Sequence, residues 1–333
     1  MKNDDPVIDI ADITFVGQGL ERPECVLTTR SGRLFTADWR GGVGVVEADG
    51  SQWLLAARDP GFEIKPNGIC LLPDGAFLLT HLGAEDGGVY HLAADGVLTP
   101  YLTDVEGVPL PPTNYAHLDS AGRLWFTVST RMVPRAKGYR ADVADGFVVL
   151  MDKRGARVVA DDLGYTNECV VHPDGQRLFV NETFSRRLTS FDITDSGDLV
   201  NKKTVAEFGA GTYPDGLTFD EQGAVWITSI VSNRVIRVLP DGSQQLILED
   251  ADRAHLDWVE AAFNAGEMGR PHLDNVKSER LQHISSLAFA GTDLKTAYLG
   301  CLLGDSLASF TSPVAGYPTA HWAFEGPARV ERK

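Results

Sequence analysis

The sequence is poor in the features that mark secreted, membrane-bound and nucleic-acid-binding proteins. It has only four cysteines in 333 residues, and its 30 Lys and Arg are outnumbered by 46 Asp and Glu. The resulting net charge of −16 repels phosphate backbones and anionic membranes. No stretch approaches the roughly 20 apolar residues of a membrane helix, and the first residues lack an apolar signal core. We therefore expect a cytoplasmic protein that binds neither nucleic acid nor membrane.

Several catalytic and metal-binding motifs are also missing. The four cysteines and eight histidines do not show the close spacing of a metal site. The chain has no Gly-x-Ser-x-Gly elbow, no P-loop, no Rossmann glycine fingerprint and no zinc-peptidase motif. The chemistries that these motifs serve are therefore disfavoured.

What the sequence does contain is a six-fold internal repeat. A polar residue recurs eight positions before a turn, and we call these positions the anchors: Glu24, Asn67, Asn114, Asn167, Asp215 and, in a degenerate sixth copy, Ser285. Turns such as Pro-Asp-Gly favour tight hairpins. Each turn is followed by a short strand with one large apolar residue: Phe35, Leu78, Trp125, Phe179, Trp226 or Tyr298. A third strand pattern follows in each copy, and a fourth follows in most.

Four antiparallel strands in each unit of roughly 45 residues predict an all-β, six-bladed β-propeller around a central channel. The chain then forms one domain, 1–333, with blades at about 24–60, 67–103, 114–161, 167–208, 215–249 and 285–333. Residues 7–16 should supply a strand that closes the last blade. A basic loop at 129–144 and a partly helical insertion at 251–281 interrupt the repeat, either as lids or as surface decoration.

The anchors predict a metal site. First strands line the axis of a propeller, so equivalent positions form a ring at one channel mouth. Asn and Asp also favour turns, and Pro precedes three anchors. Glu is a poor turn residue, however, and converging carboxylates repel one another without a cation. A hard divalent cation accepts carboxylate and amide oxygens together with water, which predicts one bound metal ion.

A second ring lies three residues beyond each large apolar residue and should sit near the same mouth: Asp38, His81, Val128, Glu182, Ser229 and Cys301. His81 is a candidate general base or substrate contact, although a lone histidine is also often structural. Glu168 follows an anchor directly and should point the other way along its strand, as a buried or loop carboxylate.

Several segments around the anchors resemble the SMP-30/gluconolactonase/luciferin-regenerating-enzyme-like family. They are Pro-Glu-Cys, Thr-Asn-Tyr, Thr-Asn-Glu, Tyr-Pro-Asp-Gly-Leu-Thr-Phe-Asp and Phe-Ala-Gly-Thr-Asp-Leu, and the resemblance covers roughly residues 15–312. It implies a six-bladed propeller lactonase with one divalent metal ion, often Ca²⁺, held by Glu24, Asn167 and Asp215. It also implies that Asn114 contacts the substrate and that Asp215 assists the attacking water. Mg²⁺, Mn²⁺, Zn²⁺ and Fe²⁺ stay open, because oxygen ligands do not separate these ions.

The sequence departs from the sugar lactonases of this family at two places. Pro112 and, by counting along the third-blade loop, Met132 stand where those relatives carry an Arg and an acid. We therefore predict a metal-dependent hydrolase of a lactone other than a simple aldonolactone, with an aliphatic or aromatic ring as the better fit. Asn114, Asn67 and Met132 are the candidate substrate contacts, and Asp215 or His81 accepts the proton.

Other functions remain open at the level of sequence. The same site could hydrolyse a phosphotriester, an aryl ester or a cyclic ketone. The chain could also be a non-catalytic propeller that binds a metal or a ligand, or a protein-interaction scaffold. We expect a small-molecule substrate and a monomer or small homo-oligomer.

Overall fold

The computed structural model describes residues 6–329, which form six four-stranded antiparallel sheets. In every sheet from blade one to blade five, the strands lie side by side in chain order. The first strands of neighbouring blades contact each other around the ring, and the first strand of blade six contacts that of blade one. These sheets confirm the predicted six-bladed β-propeller.

The strands follow one another as the repeat predicts. The first strand in the chain is β1 (Thr14–Val16), which lies beyond a 3₁₀ turn at Ile10–Asp12. Blade one contains β2 (Val26–Thr28), β3 (Leu34–Asp38), β4 (Gly42–Val46) and β5 (Gln52–Ala56). Blade two contains β6 (Pro66–Leu71), β7 (Phe77–His81), β8 (Val89–Leu92) and β9 (Leu98–Leu102). A small hairpin follows, formed by β10 (Asp104–Val105) and β11 (Val108–Pro109).

The remaining blades carry the two interruptions. Blade three contains β12 (Thr113–Leu118), β13 (Leu124–Val128), β14 (Gly146–Asp152) and β15 (Gly155–Leu163), with a 3₁₀ turn at Arg135–Gly138. Blade four contains β16 (Thr166–Val171), β17 (Arg177–Glu182), β18 (Arg187–Ile193) and β19 (Leu199–Glu207). Blade five contains β20 (Thr212–Phe219), β21 (Val225–Val231), β22 (Arg234–Val238) and β23 (Gln244–Glu249). The helices α1 (Arg253–Ala265) and α2 (Arg270–Leu273) precede blade six, which contains β24 (Ile284–Ala290), β25 (Thr296–Cys301) and β26 (Leu307–Thr311).

Burial decreases from the channel outward. Every residue of β6 and β7 is buried, whereas β9 and β19 are largely exposed. Inner strands are covered on both faces by the neighbouring blades, which explains their continuous apolar runs. The large apolar residues of the second strands, such as Trp125 and Trp226, are fully buried. Within residues 6–329, no helix has the length and apolarity that a bilayer span requires.

The last blade is closed by the early part of the chain, as predicted. The strand β1 pairs antiparallel with β26, so the order in this sheet is β1-β26-β25-β24. Phe15 faces Ala308 in the register, and the hydroxyl groups of Thr14 and Ser309 lie 2.8 Å apart. The outermost strand of blade six is therefore β1.

The segment after β26 crosses the end of the propeller that carries the turns between first and second strands. Its backbone is hydrogen-bonded to blade five, where Tyr317 N–H donates to the Phe219 carbonyl (2.9 Å). It is bonded to blade one, where Arg30 N–H donates to the Trp322 carbonyl (2.8 Å). This segment therefore covers the end of the propeller opposite the anchors.

Candidate active site

The anchors lie where the first strands are irregular. In blades two to six the register between first and second strand shifts at the anchor, between Pro66/Ile69, Thr113/Tyr115, Thr166/Cys169, Pro214/Leu217 and Ile284/Leu287. A bulge inserts an extra residue and re-aims its side chain. The repeated bulge therefore turns the anchors of blades two to six out of the alternating strand pattern.

Four anchors form a hydrogen-bonded chain around the channel. The Asn67 amide nitrogen donates to Glu24 Oε1 (2.8 Å) and to Asn114 Oδ1 (2.6 Å). The Asn114 amide nitrogen donates to Asn167 Oδ1 (3.1 Å). The Asn167 amide nitrogen donates to Thr183 Oγ1 (3.1 Å), and Asp215 lines the same cavity as Asn167. The structure thus brings together Glu24, Asn114, Asn167 and Asp215, with Asn67 between two of them.

The two carboxylates of this ring are buried together. Glu24 and Asp215 are 7% and 3% exposed. Burial raises the pKa of Asp215 well above its ordinary value, and the negative charge of Glu24 raises it further. Arg22 is the basic partner of Glu24, at 3.0 Å from Oε2. The ring therefore holds two close carboxylates and one ion-paired arginine, and additional positive charge would stabilise it.

The donor set fits a divalent cation. Carboxylate and amide oxygens are the ligands that hard cations prefer. In the described part of the chain no three side chains of His, Cys, Asp or Glu converge as a metal site. Amide oxygens would therefore have to complete the ligand set around Glu24 and Asp215. Asn167 Oδ1 carries such an oxygen next to Asp215 and accepts a hydrogen bond from Asn114.

A cavity of about 40 Å³ lies at the anchors. Its floor contains Glu24, Asn114, Asn167 and Asp215. Its other lining residues come from loops, from the end of β21 and from α2: Arg22, Arg135, Tyr139, Tyr165, Thr183, Phe184, Ile230, Arg270, Leu273 and Leu302. Pockets for small organic ligands measure about 300–1,000 Å³, so this cavity has room for an ion or water and not for an organic ring.

The segments that interrupt the repeat form the roof of this cavity. Tyr139 from loop 129–144 packs edge-on against Tyr165 and tilted against Phe184, with ring centroids 5.4 Å and 4.9 Å apart. Leu273 of α2 belongs to the same apolar cluster, as does Phe263 of α1. We call residues 129–144 and 251–281 the roof.

Helix α1 is fastened to the propeller by Glu260. Its carboxylate accepts hydrogen bonds from the Tyr213 hydroxyl (2.8 Å) and from Gly211 N–H (2.9 Å). It also pairs with the Arg186 guanidinium, which lies 4.1 Å from the Phe263 ring centroid. Asp252 caps the start of the helix by accepting from His255 N–H (2.7 Å). The roof is thus ordered by its own capping and by one partly buried cluster of polar contacts.

His81 lies away from this cavity. Its Nδ1 accepts from the backbone N–H of Lys65 (3.1 Å), its Nε2 is 3.7 Å from Asp86, and its ring packs against Phe62. Burial lowers its pKa. His81 is not among the residues that line the cavity, so the structure does not bring it to Asp215.

Met132 is also outside the lining. It lies in the third-blade loop with 37% of its surface exposed, and its backbone N–H donates to Thr130 Oγ1 (3.0 Å). Arg135, three residues later, lines the cavity instead. Asp38, a member of the second ring predicted from the sequence, forms a salt bridge with Arg40.

Sequence reasoning missed most of the roof. Arg22, Arg135 and Arg270, with Tyr139, Tyr165 and Phe184, were not proposed as site residues. The one available signal was the basic and aromatic composition of loop 129–144.

Glu168 accepts a hydrogen bond from Leu217 N–H (2.9 Å), and burial raises its pKa well above the ordinary value. It does not line the cavity.

Larger surface grooves lack this chemistry. One of about 1130 Å³ runs along β22 and β23, where the charges of Arg234 and Glu249 neutralise each other at 2.7 Å. Another of about 320 Å³ lies beside the segment after β26 and is lined by His117, Phe219 and Trp322. Glu207 and Glu249 line the first groove, but Glu207 is exposed, Glu249 is only partly buried, and neither is an anchor.

Comparison with known proteins gives one family. The profile of the SMP-30/Gluconolactonase/LRE-like region matches residues 63–249. The 6-deoxy-6-sulfogluconolactonase of Pseudomonas putida is 29% identical over 176 residues, which are 52% of this chain and 56% of that protein. The match thus spans little more than half the length of that relative.

Solved structures of low sequence identity share the fold. A gluconolactonase from Xanthomonas campestris is 18% identical with a TM-score of 0.66, covering 94% of this chain and 96% of that one. Regucalcin from Agrobacterium tumefaciens, described as a calcium-binding protein, is 17% identical with a TM-score of 0.65, covering 95% and 98%.

Proposed function

The chain belongs to the SMP-30/gluconolactonase/LRE-like family, and from this premise we propose that it is a metal-dependent lactonase. The observation that carries the proposal is the buried pair Glu24 and Asp215 in a ring of asparagine amides at the cavity floor. The lactonase names of the curated relative and of a solved relative support the reaction class.

The proposed ligands of the metal ion are Glu24, Asn167 and Asp215. Ca²⁺ is the first choice because the set consists of oxygens and because one relative of the same fold is described as calcium-binding. When bound, a divalent cation would act as a Lewis acid that polarises the ester carbonyl.

The side chains of the floor supply the remaining chemistry. Asp215 accepts a proton from the water whose oxygen attacks the carbonyl carbon. The ring C–O bond then breaks, and the proton passes from Asp215 to the leaving ring oxygen, which gives the open hydroxy acid. Asn114 donates a hydrogen bond to a substrate oxygen, and Asn67 holds Glu24 and Asn114 in place. His81 and Met132 have no part in this proposal, because neither lines the cavity.

Substrate entry requires a movement of the roof. A cavity of about 40 Å³ does not admit a lactone ring. We propose that the roof opens for substrate entry and closes over the bound ring, which excludes bulk water from the attacking position. The substrate is a lactone other than a simple aldonolactone, as Pro112 and the loop sequence suggest.

The experiment is a chelation-and-rescue assay on purified protein. Chelated protein is supplied in turn with Ca²⁺, Mg²⁺, Mn²⁺, Zn²⁺ or Fe²⁺ and assayed on lactones, a phosphotriester and an aryl ester. We expect lactone hydrolysis that depends on the added cation, and a loss of about 100-fold or more in kcat for Asp215→Asn. Asp241→Asn, in an exposed turn of the same blade, is the control and should retain full activity.

Two outcomes would contradict the proposal. Faster hydrolysis of the phosphotriester than of any lactone with the same cation would change the reaction class. Absence of cation-dependent turnover on every substrate, with a folded protein, would indicate a propeller that only binds its ligand.

A further inference from the structure

The cavity is lined by side chains of both charges. Its floor holds Glu24 and Asp215, and three arginines also line it: Arg22, Arg135 and Arg270. Arg22 is paired with Glu24 at 3.0 Å. The roof therefore brings more basic groups to the cavity than the pairing of Glu24 uses.

Arg270 and Arg135 differ in their partners. Arg270 lies at the start of α2, is half exposed and pairs with Asp274 one turn later. Arg135 has no carboxylate within 4.0 Å of its guanidinium among residues 6–329. Arg135 is thus the basic lining residue whose charge no protein acid at contact distance compensates.

The side chain of Arg135 is held in place from one side. Its Nε donates to the Tyr165 hydroxyl (2.8 Å), and the residue is partly buried at the start of the 3₁₀ turn. Within the described residues its two terminal amino groups donate to no side chain or backbone carbonyl. A guanidinium fixed at Nε presents these two amino groups as a planar fork, which matches the oxygens of a carboxylate, sulfonate or phosphate.

Arg135 shares the cavity with the carboxylates of the floor. Its side chain, Glu24 and Asp215 all line the same small space. Tyr139, Tyr165 and Phe184 line the same cavity and supply aromatic surface. A ligand that fills this space would therefore contact the acids and amides of the floor and also the arginine fork.

We propose that the substrate is a lactone bearing an anionic substituent, a carboxylate, sulfonate or phosphate, which Arg135 binds as the specificity-determining residue. This inference rests on the lactonase function proposed above. It replaces the uncharged aliphatic or aromatic ring that the sequence favours, because such a ring would leave the fork of Arg135 desolvated and without an acceptor.

The test uses two lactones that differ at one substituent, which is charged in one and neutral in the other. D-Glucarolactone carries a carboxylate where D-gluconolactone carries a hydroxymethyl group. We expect the wild type to prefer the anionic lactone by about tenfold or more in kcat/KM. Arg135→Gln should lower kcat/KM on the anionic lactone by about 30-fold or more, mainly through KM, and on the neutral lactone by no more than about threefold. Arg135→Lys should restore part of the preference, because it keeps the charge and loses the fork.

Lys137→Gln is the matched control. Lys137 lies in the same turn, is exposed and donates to the Val133 carbonyl (3.0 Å), outside the cavity lining. This variant should keep the wild-type preference. Thermal melting of each variant establishes that the comparison is made between folded proteins.

Failure of this inference is distinct from failure of the lactonase function. If the wild type hydrolyses both lactones equally, or if Arg135→Gln slows both equally, Arg135 is not the anion-binding residue and the lactonase stands. If neither lactone is hydrolysed, the affinities of the wild type and of Arg135→Gln for D-glucarate and D-gluconate are measured by calorimetry instead. Weaker binding of D-glucarate alone in Arg135→Gln supports the site, and equal binding by both proteins overturns it.

Discussion

The Asn67 amide nitrogen donates a 2.8 Å hydrogen bond to Oε1 of Glu24, between neighbouring blades of the propeller. The other oxygen of Glu24 accepts from Arg22. The same Asn67 nitrogen reaches Oδ1 of Asn114. Asn67 therefore positions a proposed metal ligand and a proposed substrate contact, although its side chain does not line the cavity.

Replacing Asn67 by Ala should weaken cation binding. Glu24 Oε1 and Asn114 Oδ1 would lose their donor in a buried setting, at a cost of about 1–3 kcal/mol in the free energy of unfolding. Loss of a residue that orients a ligand typically lowers metal affinity about 10–100-fold. Calorimetric titration with Ca²⁺ measures the affinity, and Asn264→Ala, on the exposed side of α1, is the control. An unchanged affinity would show that Glu24 does not depend on Asn67.

Replacing Glu260 by Gln should loosen the roof. The change removes the charge that pairs with Arg186 and weakens the contacts to Tyr213 and Gly211. A loss of about 1–3 kcal/mol in local opening corresponds to roughly 5–150-fold faster amide exchange in residues 253–265. Hydrogen exchange with mass spectrometry measures it. Asp257→Asn, an exposed acid on the same helix, should leave exchange unchanged. Equal exchange in both variants would mean that Glu260 does not fasten the roof.

The segment after β26 should come loose in acid. Burial, together with the charge of the nearby His117, lowers the pKa of His321 from 6.5 to about 3. Because the folded state depresses this pKa, its stabilising contribution is present above pH 6.5 and is lost as the pH falls toward about 3.

Denaturant unfolding at several pH values tests this expectation. Within that window the wild type should lose up to about 1.4 kcal/mol per pH unit from His321. The fall should be shallower in His321→Gln and unchanged in His91→Gln, a partly exposed control on β8. Parallel curves for wild type and His321→Gln would mean that His321 is not the titrating group.

The repeat in the sequence was enough to predict the fold and the residues of the cavity floor. The anchors recur at one place in each unit, and a propeller places equivalent positions at one depth. The β-bulges could not be predicted from the sequence, because each depends on how the first strand pairs with the next strand rather than on local residue type. The sequence predicts Asn67 as a substrate contact and gives Ser285 no role. In the structure Asn67 is bonded to Glu24 and Asn114, and the Ser285 hydroxyl donates to the Glu24 carbonyl at 2.8 Å.

The roof could not be predicted in the same way. Counting along the third-blade loop favours Met132, but counting assumes that the loop follows a regular path. The path is instead set by the packing of Tyr139 against Tyr165 and Phe184, residues distant in sequence, and it carries Arg135 to the cavity. The repeat predicts that His81 lies at the end of a second strand, and it does lie at the end of β7. The repeat does not predict which groups surround the His81 side chain.

The pairing of β1 with β26 has a consequence for how the protein folds. The Thr14 and Ser309 hydroxyls that meet in blade six are 295 positions apart, so almost the whole chain must be ordered before this contact forms. Closing so long a loop costs entropy that only a nearly complete ring can offset. Closure of the ring should therefore be a late, slow step of folding, and detachment of β1 an early step of unfolding.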